Sequence, residues 1–425
     1  MKKRILALML AVVMIVSLAS CTPAGNETET TNAAGSTKVG ETTKAAETTK
    51  STEKVELVVW ESVDGPDKWI EQAGAAFTAQ NPNITIKFVN VELGDSSSQI
   101  ALDGPGGVGP DLFAAPHDKL GELVVGGHIL ATKDPAQVTA AVLPACSAAL
   151  TYDGVMYGYP TSAETYALYF NKDLIPESQV PKTWADLYEW CKTFNAANPG
   201  KYGFVMDVTS MYYTILFTTK GGNRLFGTGG TDVSSSYLAT PNAIEGMKEF
   251  QKMKEVINLP AADLGTDTAD GAFAAGTAAM HISGPWNVSN FKEAGLNYGI
   301  TTLPSLSGES TPAASFSGTR GMFVSAYTLH PEEANMFAEF LISEEMQLLR
   351  NGITGALPAI DVQVESEYAK GFIDQLNYAF PMPSVPQMSA FWDAAGSASS
   401  NIWDGANVET ELKALDNAIV SFVAE

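Results

Sequence analysis

Val55-Glu56-Leu57-Val58-Val59-Trp60 leads through a polar turn, Asp64-Gly65-Pro66, to Trp69, Ile70, Ala73, Ala76 and Phe77, and then to Ile84-Thr85-Ile86-Lys87-Phe88-Val89. The first run is β-rich, the second set recurs with the period of an amphipathic helix, and the third alternates like a strand. Strand, helix and strand in that order predict a βαβ unit and a parallel sheet. Trp60, inside the apolar run, reads as core. The rhythm continues downstream. Gly154 to Pro160 and Ala167 to Asn171 read as strands, and Thr183 to Asn195 as a helix. Thr240 to Ile257, Pro331 to Arg350 and Val408 to Val423 also read as helices. At 425 residues the chain is too long for one ordinary domain. The fold class expected is α/β in at least two lobes.

Upstream of Val55 the sequence changes character twice. Lys2, Lys3 and Arg4 precede an apolar run from Ile5 to Val16, which is shaped like a secretory signal and short for a membrane span. The run ends in Leu18-Ala19-Ser20-Cys21, which resembles the bacterial lipobox. In that pattern residues 1–20 are removed and Cys21 carries the lipid, anchoring the protein on the outer side of a membrane without spanning it. The alternative is an ordinary signal peptide with a chance cysteine. Thr22 to Lys54 is low in complexity, with no aromatic residue and Glu-Thr-Thr-Lys repeated at 41–44 and 47–50. Such a segment buries too little to offset its ordering entropy. Residues 21–54 therefore read as a tether, with a coil reach of about 30 Å.

Composition removes several function classes. The formal net charge is −23, from 25 Lys and Arg against 48 Asp and Glu, so nucleic acid and other polyanions are poor partners. Four scattered histidines and three cysteines supply neither metal-ligand spacing nor a disulfide framework. No metal and no cofactor is expected. Cys146 and Cys191 read as reduced apolar fillers rather than a pair. Gly104-Pro105-Gly106-Gly107-Val108-Gly109 matches G-x-G-x-x-G literally, but Leu112-Phe113-Ala114-Ala115 after it looks like a strand, where a dinucleotide fold needs a helix. P-loop, nucleophile-elbow and H-E-x-x-H motifs are absent.

One set of strings points to a family. Pro386-Gln387-Met388-Ser389-Ala390-Phe391-Trp392 and Gly284-Pro285-Trp286 are its most specific members. Pro110-Asp111 with His117-Asp118, Tyr159-Pro160 before Glu164, and Asn171-Lys172-Asp173-Leu174 fall in the same order. Pro181-Lys182-Thr183-Trp184, Ala279-Met280 and Tyr298-Gly299-Ile300-Thr301 leading to Leu303-Pro304 complete it. Residues 55–425 thereby resemble the bacterial maltose/maltodextrin-binding proteins, extracellular sugar receptors of ABC importers. The resemblance implies a two-lobed periplasmic-binding-protein-like fold with a hinge and an interlobe ligand cleft. It places the N-lobe in 55–162 plus 318–372, the C-lobe in 163–317 plus 373–425, and the first crossing near Thr161 to Ala163. It also implies a monomer with two kinds of partner, an oligosaccharide and a membrane permease.

Pyranose rings offer apolar faces to aromatic side chains and hydroxyl rims to charged or polar ones. Trp286 and Trp392 are the stacking candidates, core packing being their alternative. The resemblance adds Tyr212 as a third ring, with Tyr213 open as the substitute. It assigns the rim to Asp64, Asp118, Lys119 and Glu164, each acid being otherwise a solvated surface carboxylate. Lys119 stands where the family has Arg, which loses the planar fork. Ala115, Ser210, Asp393 and Gly396 also depart from the family, and the expectation is a roomier, less polar cleft. The function implied is capture of maltodextrin-type oligosaccharides for an ABC permease. A different oligosaccharide is the alternative, and a carbohydrate-active enzyme using Glu164 and an Asp is a third reading.

Overall fold

The computed structural model describes residues 53–364 and 366–422, so Cys21, the leader and nearly all of the tether lie outside the described residues. The opening βαβ unit forms as read. Strand β1 (Val55–Glu61) pairs in parallel with β2 (Ile84–Asn90), and the helix Pro66–Gln80 connects them. Val55, Leu57 and Val59 pack with Trp69, Ile70, Ala73 and Phe77 of that helix. Trp60 faces the other way and is buried with Ile100, Phe113 and Phe323, as core.

β3 (Leu112–Pro116) adds to β1 in parallel. A two-residue-armed hairpin, β4 (Thr151–Tyr152) and β5 (Val155–Met156), then precedes β6 (Gly158–Thr165). The next strand, β7 (Ala167–Asn171), belongs to a second sheet, flanked antiparallel by β8 (Met280–Ser283) and β9 (Tyr298–Thr301). β10 (Phe316–Val324) returns to the first sheet, where it runs antiparallel to both β3 and β6. β11 (Phe380–Pro381) pairs with its beginning. The first sheet thus has the order β11-β10-β3-β1-β2, with β6 along the remaining edge of β10.

Three expected helix spans need adjustment. The span 240–257 divides at Met253 into Pro241–Lys252 and Lys254–Ile257. The span 331–350 is two helices, Pro331–Leu341 and Glu344–Thr354. Ser343 is extended between them, and Glu344-Glu345 give the second helix its acidic first turn. The last helix ends at Val420 rather than Val423.

β6 stays in the first sheet through Thr165, and the fully buried Tyr166 separates it from β7 of the second. The helix Ala369–Leu376 lies on β9, where a methyl on Gly371 would come within 2.6 Å of Ile300.

The two sheet systems meet at another close approach. A methyl on Gly121, in the short helix Leu120–Val125, would sit 2.2 Å from the Ser384 carbonyl oxygen, just ahead of the helix Met388–Trp403. Gly121→Ala should therefore cost about 1–3 kcal/mol, an overpacking penalty against unyielding backbone. Gly94→Ala, with open space around the new methyl, should be nearly neutral. Urea unfolding of both variants checks the contrast, and equal stabilities would refute the tight contact.

Candidate functional site

The aromatic candidates converge on one surface. Gly284 precedes a 3-10 turn, Pro285–Asn287, that carries Trp286 at the end of β8. Ser210 caps the helical turn Met211–Thr214 by accepting from the Tyr212 N–H at 3.3 Å, and so fixes where that turn begins. Trp392 lies on the first turn of Met388–Trp403. All three rings are partly buried against the second sheet's core rather than sealed in it. The Trp286 and Tyr212 centroids lie 6.2 Å apart, Tyr212 and Phe316 6.2 Å, and Phe316 and Trp392 6.3 Å. Phe316, fully buried, is the ring that joins them, and sequence reasoning missed it. Tyr213 is buried in the core, so Tyr212 is the ring of the pair left half-open. Burial, reinforced by Glu164, pushes the Tyr212 phenol well above its ordinary range and keeps it protonated.

The polar candidates divide. Asp118, buried, accepts a 2.7 Å hydrogen bond from the Trp392 indole N–H. His117 beside it is scaffolding. Its Nδ1 accepts from the Thr319 N–H at 3.1 Å, and its Nε2 faces the Met382 carbonyl at 2.9 Å. This pattern requires the neutral Nε2–H ring, and burial lowers its pKa accordingly. Glu164 projects from β6 half-buried and accepts from Ser162 at 3.0 Å. Lys119 is turned to Glu122 at 3.4 Å. Asp64 is exposed, at a positive φ of 63° in the turn after β1. The structure therefore groups Asp118, Glu164, Tyr212, Trp286 and Trp392, and leaves Asp64 and Lys119 outside those contacts.

The departures are packing features rather than simple gaps. Ala115 is fully buried with Trp60 and Phe113 and opens no space in the cleft. A side chain at Gly396 would start 3.0 Å from the Thr209 carbonyl oxygen, next to the cap at Ser210. Asp393 is exposed. Cys146 and Cys191 are free and buried.

A buried ionic cluster, unforeseen from the sequence, lies at the end of β1. Arg320 of β10 donates from Nε to Glu61 at 3.1 Å and from Nη2 to Glu61 and to Ser62, the last at 2.7 Å. Arg350 stands 3.6 Å from the same carboxylate and lies over the Trp69 ring. Burial alone would raise the Glu61 carboxyl, but Arg320 and Arg350 outweigh it and hold it below the ordinary value of 4.5. Burial and the neighbouring Arg320 pull Arg350 down to about 10. Arg320, gripped by two bonds to Glu61, is raised instead.

Of the cavities among the described residues, two bear on the sequence reading. One of about 700 Å³ between β1, β2 and Gly107–Gly109 is walled by Glu92, Asp95 and Asp103, a poor setting for a pyrophosphate. The glycine string follows a helix, Ser96–Asp103, and precedes β3, the reverse of a dinucleotide turn. The other, about 530 Å³, touches Cys146, Ala163, Ser317 and Thr319 but none of the seven site candidates.

The family model described as bacterial extracellular solute-binding protein matches residues 72–401. A galactooligosaccharide-binding protein of Bacillus subtilis (strain 168) is 30% identical over 95% of this chain and 93% of its own. A maltooligosaccharide ABC transporter solute-binding lipoprotein of Streptococcus pneumoniae (strain R6) is 30% identical over 88% of this chain and 89% of its own. A crystallised cyclo/maltodextrin-binding protein complexed with maltotetraose is 32% identical, with a TM-score of 0.73 over 86% of this chain and 96% of that one. The chain belongs to the bacterial extracellular solute-binding proteins, with the two-lobed α/β fold of the maltodextrin-binding structures.

The Glu61 cluster gives stability a pH dependence. Because the folded carboxyl titrates below 4.5, its contribution is complete above that pH and is lost as pH falls through the lower folded value. Glu61→Gln should cost about 3–5 kcal/mol at pH 7 by leaving two buried guanidinium groups uncompensated. That deficit should shrink on acidification. Urea unfolding at pH 7 and at about pH 3.5 measures it, and a deficit independent of pH would contradict the assignment.

Proposed function

We propose that this chain binds maltodextrin-type oligosaccharides between its two sheet systems, without chemical conversion, and delivers them to the permease of an ABC importer. The observation that carries the reading is the set of half-buried rings Trp286, Tyr212 and Trp392, held in place through the buried Phe316 and flanked by the carboxylates Asp118 and Glu164. Rings spaced along a surface suit successive sugar faces, and carboxylates suit the hydroxyl rim. Sugar-binding relatives support it. Asp118 belongs to the first sheet system and Trp286 and Trp392 to the second, so a sugar touching all three gains contacts only when the halves close. That differential affinity is what ligand-driven closure requires. Asp64 and Lys119 remain rim candidates at the cleft's edge. The N-lobe and C-lobe are proposed to be these two sheet systems, moving as rigid bodies in a monomer.

A second reading, a galactooligosaccharide ligand, is favoured by the B. subtilis relative so named, which aligns over 95% of this chain. Calorimetric titration with maltoheptaose and with a galactooligosaccharide separates the two. Trp286→Ala and Trp392→Ala should each weaken binding of the preferred sugar by roughly tenfold to a hundredfold, from about 1.5–3 kcal/mol of lost burial and stacking. Circular dichroism should remain native, and small-angle scattering of the wild type should show compaction on saturation. Unchanged affinity in both variants would return the rings to the core.

We further propose that lipid on Cys21 holds the protein at the outer face of the cell membrane, with residues 22–54 as its tether. Among the described residues no helix is long and apolar enough to cross a membrane. Cys21→Ser should move the protein from the membrane fraction to the soluble fraction with its body folded. Retention of that variant until detergent is added would sink the anchor.

A further inference from the structure

The β6–β10 pairing sorts its side chains onto two faces. Arg320 lies opposite Ser162 and Gly318 opposite Glu164, so these four share one face, while Ala163, Ser317 and Thr319 take the other. The cavity of about 530 Å³ is lined by Ala163, Ser317 and Thr319 of the second face and by the bare Gly318. Glu164, a member of the candidate site, is therefore on the face that Arg320 also occupies. Arg320 is not among the seven residues that the sequence pattern singles out for that site.

We infer that Arg320 touches the bound oligosaccharide and sets its specificity, donating to a sugar oxygen while Glu164 accepts from a neighbouring hydroxyl. The inference rests on the oligosaccharide reading. Nε and Nη2 of Arg320 are engaged by Glu61 and Ser62. Nη1 has no acceptor among the described residues, yet it is not one of the sealed, unpartnered atoms, which on the guanidinium groups are Nε and Nη1 of Arg350. One donor edge of a planar fork is thus left available on a side chain otherwise 8% exposed. The bidentate hold on Glu61 fixes the fork in advance, so little rotamer freedom is lost when a ligand arrives.

Space exists beside it. A methyl built on Gly318 would reach only ordinary contact distance from its neighbours, 3.5 Å to Met382 Cε, 3.6 Å to Glu164 Cβ and 3.9 Å to Glu164 Oε2, and the bare glycine leaves the volume between them open next to the carboxylate. Charge fits as well. Glu61 and Glu164 balance Arg320 and Arg350, and Glu164 acts on both guanidinium groups. A balanced donor and acceptor on adjacent strands match a vicinal diol of a neutral sugar. An extra sugar carboxylate would meet Glu164 and Asp118 instead.

The test uses the mature protein and a panel of maltotriose, maltoheptaose and β-1,4-galactotriose, titrated calorimetrically. Arg320→Lys keeps the charge but loses the fork. It should weaken the tightest-binding sugar by about tenfold or more, the weight of a charge-assisted hydrogen bond. The affinity ratio between the glucose and galactose oligomers should also change, which a purely structural role would not produce. Gly318→Ala, whose methyl the fold accommodates, should weaken the same sugar with an unchanged melting temperature. A folded Arg320→Lys protein with wild-type affinity and ratio overturns the inference. So does wild-type affinity in Gly318→Ala if Arg320→Lys does not fold. Loss of binding in Trp286→Ala and Trp392→Ala beside either of those results leaves the oligosaccharide reading standing and removes only Arg320. No binding of any panel sugar by the wild type removes both.

Discussion

Two antiparallel strands, β6 and β10, set the geometry of everything near the candidate site. Both run in the first sheet; β6 passes through Tyr166 directly into β7 of the second, and β10 begins at Phe316 after the connection 302–315 from β9. The register between them is fixed by the ladder from Ser317–Thr165 to Phe323–Gly158, with one irregularity at Arg320–Gly321. A slip of β6 by one residue would turn Ser162 and Glu164 away from the face they share with Arg320. Ring and carboxylate positions on both halves are therefore referred to one backbone ribbon, and Phe316 at its start is the central ring of the aromatic set.

That ribbon carries an expensive feature. Glu61 is completely buried between Arg320 and Arg350, and two nitrogens of Arg350 have no hydrogen-bond partner. Such clusters seldom stabilise a fold beyond what well-packed apolar residues of the same size would provide. Packing relieves part of the cost through the Trp69 ring under Arg350 and the Ser62 hydroxyl on Arg320. The remainder is offset by the rest of the first core, where Trp69, Phe77, Phe337 and Leu341 are essentially sealed from water. The network ties β1, β10 and the helix Glu344–Thr354 together at the sheet edge nearest the site. That helix in turn meets the second half, where the Ser289 hydroxyl donates to the Ile353 carbonyl at 3.1 Å.

How much of this the sequence disclosed depended on range. Local periodicity found β1, β2, β7 and the helix Trp184–Ala197, whose Thr183 side chain caps Asp186. It missed the break at Ser343 because the apolar spacing of two helices continued almost in phase across it. Strings carried by resemblance located Trp286, Trp392, Asp118 and Glu164, since each sits in a turn or strand end whose neighbours fix its position. The contacts between distant segments were not legible. Phe316 lies in a stretch to which no motif or periodicity drew notice, although it joins rings from several parts of the chain. Glu61 and Arg320 did leave a signal, as opposite charges at the end of one apolar strand and inside another. Burial of such a pair follows only once β3 is known to lie between β1 and β10. Lys119, half-buried, and Asp64, exposed, show the converse, because correspondence of position does not fix where a side chain turns.

The bond between the Trp392 indole N–H and Asp118 bears on how affinity is divided within the site. It already satisfies a buried carboxylate across the two halves, so a sugar hydroxyl that takes its place exchanges one charge-assisted bond for another. Such an exchange contributes little net free energy, although leaving Asp118 without any partner would cost more than the bond is worth. Under the proposed function Asp118 would sort ligands by penalising those that lack a hydroxyl at the right place. The favourable part of binding would then come from surface that has no equivalent partner beforehand, such as the half-buried faces of Trp286, Tyr212 and Trp392. On that reading aromatic area sets the strength of binding, and the carboxylates beside it govern which sugar can use it.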